Sequence, residues 1–328
     1  MADGLLNKAS IILTPTGYKA GTLYNVAPID EPYEDFDFAR TSTATRINSS
    51  GLVSNVATGV PRISYDSNGD NGHILLEPTT TNLYLNTDTL STQNISTSAS
   101  DYSVSFYGTG TITFSGSYSG SLVGTGLNDR VSLTFTATSG TLTSTVSGSV
   151  TNAQIENLGY STSYMPSLST QGVRATETAT GAGSADLINS TEGVLYAELG
   201  AFPNDDSYRY MGLTDGTANN RVMILYYQNN DRIRVLLSSS GTKYFDEYYT
   251  VSSLVDFHKI AVKWKVNDFA LWIDGVERAT ETSGSSPIGL NTLAFDQAGV
   301  SNFYGKCKAL AVFDRALIGD ELRDLTTQ

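Results

Sequence analysis

The chain has 328 residues, of which 40% are hydrophobic and 16% charged, and its formal net charge is −13. Lysines and arginines are scattered in an acidic background, which argues against the basic stripe that nucleic-acid binding requires. Because Cys307 is the single cysteine, an intrachain disulfide framework and a cysteine-rich zinc site are excluded as well.

The start of the chain lacks the features of an export signal. Met1–Ala20 has no basic stretch, and the apolar run Ile11-Ile12-Leu13 is too short for a signal peptide. Nowhere does the chain approach the roughly 20 consecutive apolar residues that span a bilayer. We expect a protein made in the cytoplasm without an export signal and not inserted in a membrane.

Three composition zones divide the chain into residues 1–75, 76–172 and 173–328. The first combines an acidic patch with the Thr-rich segment Arg40-Thr-Ser-Thr-Ala-Thr-Arg46. The acidic patch consists of Asp30, Glu31, Glu34, Asp35 and Asp37. We expect Arg40, Arg46 and Arg62 to pair with this patch, as guanidinium groups do with nearby carboxylates.

One segment copies the oxygen spacing of a calcium loop. Asp66, Asn68, Asp70 and Glu77 occupy positions 1, 3, 5 and 12 of such a loop. The sixth position, however, is Asn71 rather than Gly, and the flanks are strand-like. Asn68-Gly-Asp-Asn-Gly72 is also typical of a turn, which the sequence favours. Calcium stays the alternative here and beside Asp205-Asp206.

The zone 76–172 is rich in Ser, Thr and Gly but has the alternation of β-strands. Apolar residues recur at even spacing, which predicts strands with one apolar and one hydroxyl-rich face. These residues are Tyr102, Val104, Phe106, Ile112, Phe114, Val131, Leu133, Phe135, Leu142 and Val146. Since a flexible Gly/Ser linker lacks regular aromatics, we predict a compact β-sandwich.

The zone 173–328 predicts a second sandwich with a richer apolar core. Alternating strands are expected at 194–199, 221–227, 232–237, 258–266 and 269–275. Tight turns are expected at Asn229-Asn-Asp231 and Asn267-Asp268, since Asn and Asp tolerate positive φ. Helical spacing appears at Ile318, Leu322 and Leu325, which predicts a short C-terminal helix.

Two of these strands place their tryptophans differently. Trp264 shares a face with Ile260 and Val262, opposite three lysines, which predicts a core position. Trp272 and Asp274 fall opposite Phe269, Leu271 and Ile273. A partly exposed Trp beside an Asp is a candidate sugar-stacking platform, although Trp272 packed under a loop or against a subunit is an alternative.

Two further aromatic residues complete the candidate carbohydrate site. They are Tyr208 and Tyr210 of the same zone. The sequence therefore predicts Trp272, Asp274, Tyr208 and Tyr210 as sugar-contact residues.

The end of the chain resembles the concanavalin A-like/laminin G superfamily. The likeness rests on His258-Lys-Ile-Ala-Val-Lys-Trp264, Ala270-Leu-Trp-Ile-Asp-Gly-Val276, Gly305–Leu317 and Asp320-Glu-Leu322. It implies a jelly-roll sandwich with an Asp-Gly hairpin and a helix after the last strand. Because this fold serves lectins, glycanases and adhesion modules, the likeness does not identify a ligand.

The first half resembles a block found in phage tail, fibre and head-decoration proteins. The residues concerned are Phe38–Arg46, Gly59-Val-Pro-Arg62, Leu75-Leu-Glu-Pro78, Thr81-Asn-Leu83, Ala153-Gln-Ile-Glu156 and Thr162-Ser-Tyr-Met-Pro166. In those proteins the block precedes a lectin-like domain, and the resemblance implies a virion protein that binds carbohydrate. Such proteins commonly form trimers, which would cover exposed edge strands.

Catalytic patterns are missing. His73 and His258, the only histidines, stand in strand-like segments without a nucleophile elbow or zinc-ligand spacing. A glycanase of this fold needs two facing carboxylates, but Glu198 stands alone and the adjacent Asp246 and Glu247 face opposite ways on a strand.

The predicted fold is therefore all-β, with an N-terminal attachment segment followed by two antiparallel sandwiches. The predicted function is a non-enzymatic structural component of a phage particle, anchored to other virion proteins by its N-terminal segment. Its lectin-like domain would bind host or environmental carbohydrate without a catalytic residue or cofactor. A glycan depolymerase or lyase and a pure assembly protein are the alternatives.

Overall fold

The computed structural model describes residues 2–27, 35–203, 208–227 and 231–327. It is all-β, with 52% strand and 4% helix, and its sheets are antiparallel, which confirms the predicted fold class. The helices among the described residues are too short and polar to span a bilayer.

The described residues form two helices and 28 strands. In chain order the first half contains α1 (Ala2–Leu6), β1 (Ile11–Leu13), β2 (Tyr18–Lys19), β3 (Thr22–Leu23), β4 (Phe36–Ala39), β5 (Ala44–Ile47), β6 (Val53–Val56), β7 (Ile63–Ser64), β8 (His73–Leu76), β9 (Thr80–Asn82), β10 (Gln93–Thr97), β11 (Ser100–Gly108), β12 (Thr111–Gly116), β13 (Gly120–Val123), β14 (Gly126–Ala137), β15 (Gly140–Ser147) and β16 (Thr151–Glu156). The second half contains β17 (Gly172–Arg174), β18 (Thr178–Thr180), β19 (Glu192–Ala201), β20 (Tyr208–Thr214), β21 (Arg221–Tyr227), β22 (Arg232–Ser239), β23 (Thr242–Thr250), β24 (His258–Lys265), β25 (Phe269–Ile273), β26 (Val276–Glu281), β27 (Thr292–Ala294), β28 (Gly305–Phe313) and α2 (Gly319–Thr326).

The chain forms two compact units. Unit 1 contains Met1–Ala39, His73–Leu76 and Thr178–Gln328, and unit 2 contains Arg40–Gly72 and Glu77–Glu177. The division into 1–75, 76–172 and 173–328 stays a prediction, and the two units of the structure are used below.

Unit 1 is a sandwich of two large sheets. One sheet has the order β26-β25-β24-β19-β28-β8, with β1 also paired to β28, and the other has the order β23-β22-β21-β20-β27. Alternate side chains of both sheets meet in one core, because period-2 strands direct every second residue inward. Trp264 lies in this core with no exposed surface and donates to the Asn189 carbonyl at 3.1 Å, which confirms its predicted position.

The first sheet of unit 1 is covered on its outer face as well. Val194 and Tyr196 of β19 pack there with Leu322 and Leu325 of α2 and Leu5 of α1. The predicted C-terminal helix is therefore present. The prediction is wrong for Ile318, which has an extended backbone before the helix begins and is 65% exposed.

Unit 2 also has two main sheets, β10-β15-β12-β13 and β14-β11-β16. The residues predicted from the Ser/Thr/Gly-rich zone do form its core, since Tyr102, Val104, Phe106 and Phe114 are almost fully buried. The compact sandwich predicted for this part of the chain is confirmed.

Candidate functional site

The outward side of β20–β23 in unit 1 carries a cluster of aromatic and charged residues. Met211 of β20, Ile224 of β21 and Val235 of β22 point into the core, so their neighbours point outward. We call the outward set the Tyr–Arg face. Its members are Tyr208, Tyr210, Arg221, Arg232, Arg234, Asp246 and Tyr248.

An apolar floor supports this face. Met223, Leu225 and Leu236 also point outward, yet they are 0%, 0% and 3% exposed. The ring of Tyr210 packs on them and so covers part of the floor. Burial raises the pKa of the Tyr210 hydroxyl, against the opposing effect of Arg234 and Arg221, so Tyr210 is a neutral donor at ordinary pH.

An open groove of about 280 Å³ crosses the face. Among the described residues it is lined by Tyr208, Arg232, Arg234 and Tyr248. Tyr208 and Tyr248 are 45% and 59% exposed, and the Tyr208 and Tyr210 ring centroids lie 6.1 Å apart. Exposed aromatic rings beside hydrogen-bond donors are the components of a ligand site.

The register of the strands explains why these residues meet. Tyr248 lies directly opposite Arg234, and Arg234 lies opposite Leu225, whose other neighbour is Tyr210. Cross-strand neighbours are about 5 Å apart, so the row forms one continuous strip.

Arg234 and Asp246 form a bidentate ion pair within this strip. Nε and one terminal nitrogen of Arg234 donate to the two Asp246 carboxylate oxygens at 2.6 Å each. Burial alone would raise the pKa of Asp246, but the hydrogen bonds and charge of Arg234 hold it below its ordinary value. Asp246 is therefore ionised and Arg234 is fixed in one orientation.

Arg232 is held by an aromatic contact. Its guanidinium carbon lies 4.7 Å from the centre of the Tyr248 ring. Such a contact orients the planar group while leaving its N–H donors at the edges available.

The structure separates the predicted sugar-contact residues. Tyr208 and Tyr210 lie together on the Tyr–Arg face, whereas Trp272 and Asp274 belong to the other sheet. Trp272 is only 9% exposed because it packs beneath α2, so the expectation of a partly exposed ring is wrong. The role of these four residues in sugar binding stays a prediction.

Asp274 instead pairs with a histidine. One of its oxygens lies 2.6 Å from Nδ1 of His258, and the other accepts the Lys259 backbone N–H at 3.0 Å. Nε2 of His258 lies 3.0 Å from the Ser253 carbonyl oxygen. Burial alone would lower the pKa of His258, but its contacts with Asp274 and Ser253 raise it above the usual 6.5. Both ring nitrogens face acceptors, which favours the imidazolium form.

The candidate calcium loop is closed by its own hydrogen bonds. The Asp66 carboxylate accepts the backbone N–H groups of Asn68 and Asp70 at 3.0 and 2.9 Å, as in an Asx-type turn. Glu77 cannot complete the loop because its carboxylate pairs with Arg62 and Arg174. The four-residue calcium set is therefore wrong.

The remaining predictions about metal ligands, acidic residues and turns have different outcomes. Across 2–27, 35–203, 208–227 and 231–327, three or more His, Cys, Asp or Glu nowhere cluster as metal ligands. The calcium alternative at Asp205-Asp206 lies outside the described residues, as do Asn229, Asn230 and the acidic residues Asp30, Glu31 and Glu34. The positive φ expected in the other turn is present at Asn267.

Unit 2 contains a buried Arg–Glu network, consisting of Arg40, Arg62, Arg174, Glu77 and Glu177. The five side chains are at most 1% exposed. Arg40 pairs with Glu177 at 2.6 Å, and Arg62 pairs with Glu77 at 2.7 Å and also with Glu177. The expected pairing of Arg62 with the acidic patch is therefore wrong.

Outside this network, hydrogen bonds in unit 2 connect several residues that carry the phage-block resemblance. Asn82 donates to the carbonyls of Ala153 and Met165, and Gln154 accepts the Met165 N–H. Glu156 accepts the Thr162 N–H. These contacts join distant segments of unit 2, so part of the block forms one hydrogen-bonded polar cluster there. Phe38 and Leu76 of the block belong instead to the hydrophobic core of unit 1.

Sequence reasoning missed the arginines of the Tyr–Arg face and the acid Glu177. The sequence predicts Arg232-Ile-Arg234 as part of a strand, and the alternation of its arginines with the apolar Ile233 and Val235 is the signal that places both arginines on one face. Glu177 is distant in sequence from Arg40 and Arg62, so no local sequence pattern predicts that they pair.

Comparisons with known proteins give distant likenesses. No protein-family model and no curated protein matches the chain. Of solved structures, the CBM40 of the Ruminococcus gnavus IT-sialidase bound to alpha2,3 sialyllactose is 16% identical with a TM-score of 0.37, covering 45% of this chain and 93% of that one. The K499G mutant of NanB sialidase from Streptococcus pneumoniae is 15% identical with a TM-score of 0.35, covering 42% and 24%. A heptameric SAP-like pentraxin from Limulus polyphemus is 14% identical with a TM-score of 0.31, covering 41% and 69%. At TM-scores below 0.5 these likenesses do not assign a function.

Proposed function

We propose that unit 1 is a carbohydrate-binding module and that the Tyr–Arg face is its binding surface. The observation that carries the proposal is the groove in which Tyr208 and Tyr248 stand exposed beside Arg232 and Arg234. Tyrosine rings offer flat apolar surface to the C–H faces of a sugar, and guanidinium groups donate hydrogen bonds to its oxygens.

The shape of the site fits part of a chain rather than an enclosed small molecule. A volume of about 280 Å³ is slightly below the usual range of ligand pockets, and the groove is open to solvent. A glycan could therefore lie across the strands with one or two sugar units against the rings.

We propose binding without turnover. Acid and nucleophile roles in a glycosidase require two carboxylates about 5 to 10 Å apart. At the outward positions of β20–β23, all of which lie in the described part of the chain, Asp246 is the only carboxylate. It is engaged by Arg234, which keeps it ionised and unable to serve as a proton donor.

A glycan array followed by calorimetry tests the binding site. We expect Tyr248→Ala to weaken binding of a glycan found on the array by about fivefold, since an aromatic contact contributes on the order of 1 kcal/mol. Tyr24→Ala is the matched control, because Tyr24 is a half-buried tyrosine of unit 1 outside the Tyr–Arg face. Unchanged affinity of Tyr248→Ala would contradict the proposal.

Incubation with the same glycan distinguishes a binding module from a depolymerase or lyase. We expect neither new reducing ends nor absorbance from unsaturated products. Release of fragments that survives repurification of the protein would show that the non-enzymatic part of the proposal is wrong.

We also propose that the chain is displayed on a phage particle and anchored there through its N-terminal segment, as a trimer. The support is the resemblance of the first half of the chain to the phage block, several residues of which form one hydrogen-bonded cluster in unit 2. Immunogold labelling of particles with antibody to unit 1 tests the location, and light scattering of the purified chain tests the trimer. Unlabelled particles would favour a role away from the virion.

A further inference from the structure

The Tyr–Arg face is positively charged in an acidic protein. The chain has a formal net charge of −13, yet the outward positions of β20–β23 carry three arginines and one carboxylate. Local excess of one sign on a surface attracts ligands of the opposite sign.

Only one of the three arginines is neutralised by a partner. Arg234 forms its bidentate pair with Asp246, and Lys243 approaches the same carboxylate at 3.4 Å. The charge of Asp246 is thus already shared by two cations. Arg234 is suited to hydrogen bonding with neutral oxygens rather than to holding a second anion.

Arg221 and Arg232 have no carboxylate partner among the described residues. Nε of each is buried from solvent without a hydrogen-bond acceptor. Burial also lowers the pKa of Arg221, since desolvation is offset only in part by Tyr210 and Asp246. An unpaired, partly desolvated guanidinium group gains most when an anion binds beside it.

The two unpaired arginines stand far apart along the sheet. Arg232 lies opposite Tyr227 of β21, and Arg221 is six positions away on that strand. At about 3.3 Å per residue the backbone positions are about 20 Å apart. Arg232 lines the groove, and the backbone positions of Arg234 and Asp246 lie between those of Arg232 and Arg221. This backbone spacing along the strands favours a ligand that extends along the face.

We infer that the ligand of the Tyr–Arg face is an extended anionic polysaccharide whose acidic groups contact Arg232 and Arg221. The inference rests on the proposed carbohydrate function and names the class of glycan. Sugar rings would lie on Tyr208 and Tyr248 and their hydroxyl groups near the Arg234–Asp246 pair, while carboxylate or sulfate groups occupy the two ends.

The test uses matched ligands. Calorimetry of the full chain compares a polyuronate chain, the same chain with its carboxyl groups reduced to alcohols, and a sulfated polysaccharide. We expect at least thirtyfold weaker binding of the reduced chain. We also expect binding of the polyuronate to weaken steeply as salt increases, because the contacts are ionic.

Variants then locate the contacts. Arg232→Gln and Arg221→Gln should each weaken polyuronate binding about tenfold, the usual scale for a lost charged hydrogen bond. Arg278→Gln is the matched control, because Arg278 lies 4.1 Å over the Tyr249 ring in unit 1 but outside the Tyr–Arg face. Arg232→Lys keeps the positive charge but loses the planar guanidinium group. An affinity between those of the unmodified chain and Arg232→Gln would therefore show how much binding depends on charge and how much on guanidinium geometry. Circular dichroism confirms that each variant is folded.

The outcomes separate this inference from the proposed function. Equal affinity for charged and reduced chains, lost in Tyr248→Ala, would overturn the anionic class while supporting carbohydrate binding. Affinity for the sulfated chain alone would support the anionic class and identify sulfate as the group. If the protein bound none of the three polysaccharides, the inference would be wrong. If the glycan array also showed no binding, the proposed carbohydrate-binding function would be wrong as well.

Discussion

Replacing Glu177 by glutamine removes the carboxylate on which two arginines of the buried Arg–Glu network converge. Glu177 accepts hydrogen bonds from Arg40 at 2.6 Å and from Nε of Arg62 at 2.8 Å, and it also accepts the Glu77 backbone N–H at 2.9 Å. Glutamine has nearly the same shape, but one of its two ends is a donor that would face a guanidinium group.

The expected loss of stability is large because the site is closed to water. Both arginines and Glu177 have side chains that are 0% exposed. Removing one partner of a buried ion pair costs about 3–5 kcal/mol, since the remaining charge stays buried without compensation. With a denaturant slope of about 2 kcal/mol per M, the urea midpoint should fall by roughly 2 M.

The assay can distinguish the two units. Trp264 and Trp272 are the only tryptophans and both belong to unit 1. Tryptophan fluorescence therefore follows unit 1, while circular dichroism follows all strands. We expect Glu177→Gln to shift a part of the dichroism transition that has no counterpart in fluorescence.

Asp129→Asn is the control, because Asp129 is an exposed carboxylate of unit 2. It removes the same charge without entering the network, and its midpoint should match that of the unmodified chain. If Glu177→Gln behaved like Asp129→Asn, the structural importance assigned to the network would be refuted.

Acid titration gives an independent measure of the same network. Burial alone would raise the pKa of Glu77, but Arg174, Arg62 and Ser163 lower it from 4.5 to about 2. Its stabilising contribution is therefore complete above pH 4.5 and is lost as the pH falls toward 2. The difference corresponds to about 3 kcal/mol, and unfolding of unit 2 in this range, followed by dichroism, is the expected result.

Three further predictions concern unit 1. The raised pKa of His258 means that its contribution to stability is complete below pH 6.5 and is lost as the pH rises through the pKa of the folded state. NMR titration should give a His258 pKa above 6.5 in the unmodified chain and a lower pKa in Asp274→Asn. The same pKa in both proteins would contradict the pairing of His258 with Asp274. Leu322→Ala should lower the free energy of unfolding of unit 1 by about 2–5 kcal/mol, as followed by fluorescence. Ile318→Ala should change the free energy of unfolding by less than about 0.5 kcal/mol, because Ile318 is exposed. Equal effects of the two substitutions would contradict the described packing of α2. Burial raises the pKa of the Cys307 thiol, so a thiol reagent should react with it only after unfolding; rapid reaction with the native chain would be evidence against the described core.

Period-2 patterning made much of the fold predictable. In the Ser/Thr/Gly-rich zone, residues such as Phe106 and Phe114 alternate with polar neighbours, and the structure buries them. When one face of a strand is exposed to solvent, its polar residues mark that face and its apolar residues mark the inward face. The pattern worked because each local alternation agreed with the core that formed.

The buried Arg–Glu network could not be predicted in the same way. The sequence predicts the acidic patch of the same composition zone as the partner of Arg62. Arg62 has two actual partners. Glu77 lies nearer to it in sequence than the acidic patch does, whereas Glu177 is 115 residues away and approaches through the fold of unit 2. Burial of a charge requires a partner inside the same closed space, and chain distance carries no information about which segments close it.

The outcome for Trp272 shows why the site itself was only half predictable. Alternation correctly places Trp272 opposite Leu271 and Ile273, but it does not say whether that second face is wet. In unit 1, α1 and α2 cover it, so the ring is buried. Over Tyr208 and Tyr248 no described helix packs, and these rings stay exposed although their strands have the same period. Exposure of an aromatic residue therefore depends on which sheet the two helices cover. The covered sheet is determined by α1 and α2, which come from opposite ends of the sequence, and not by the strand that carries the aromatic residue.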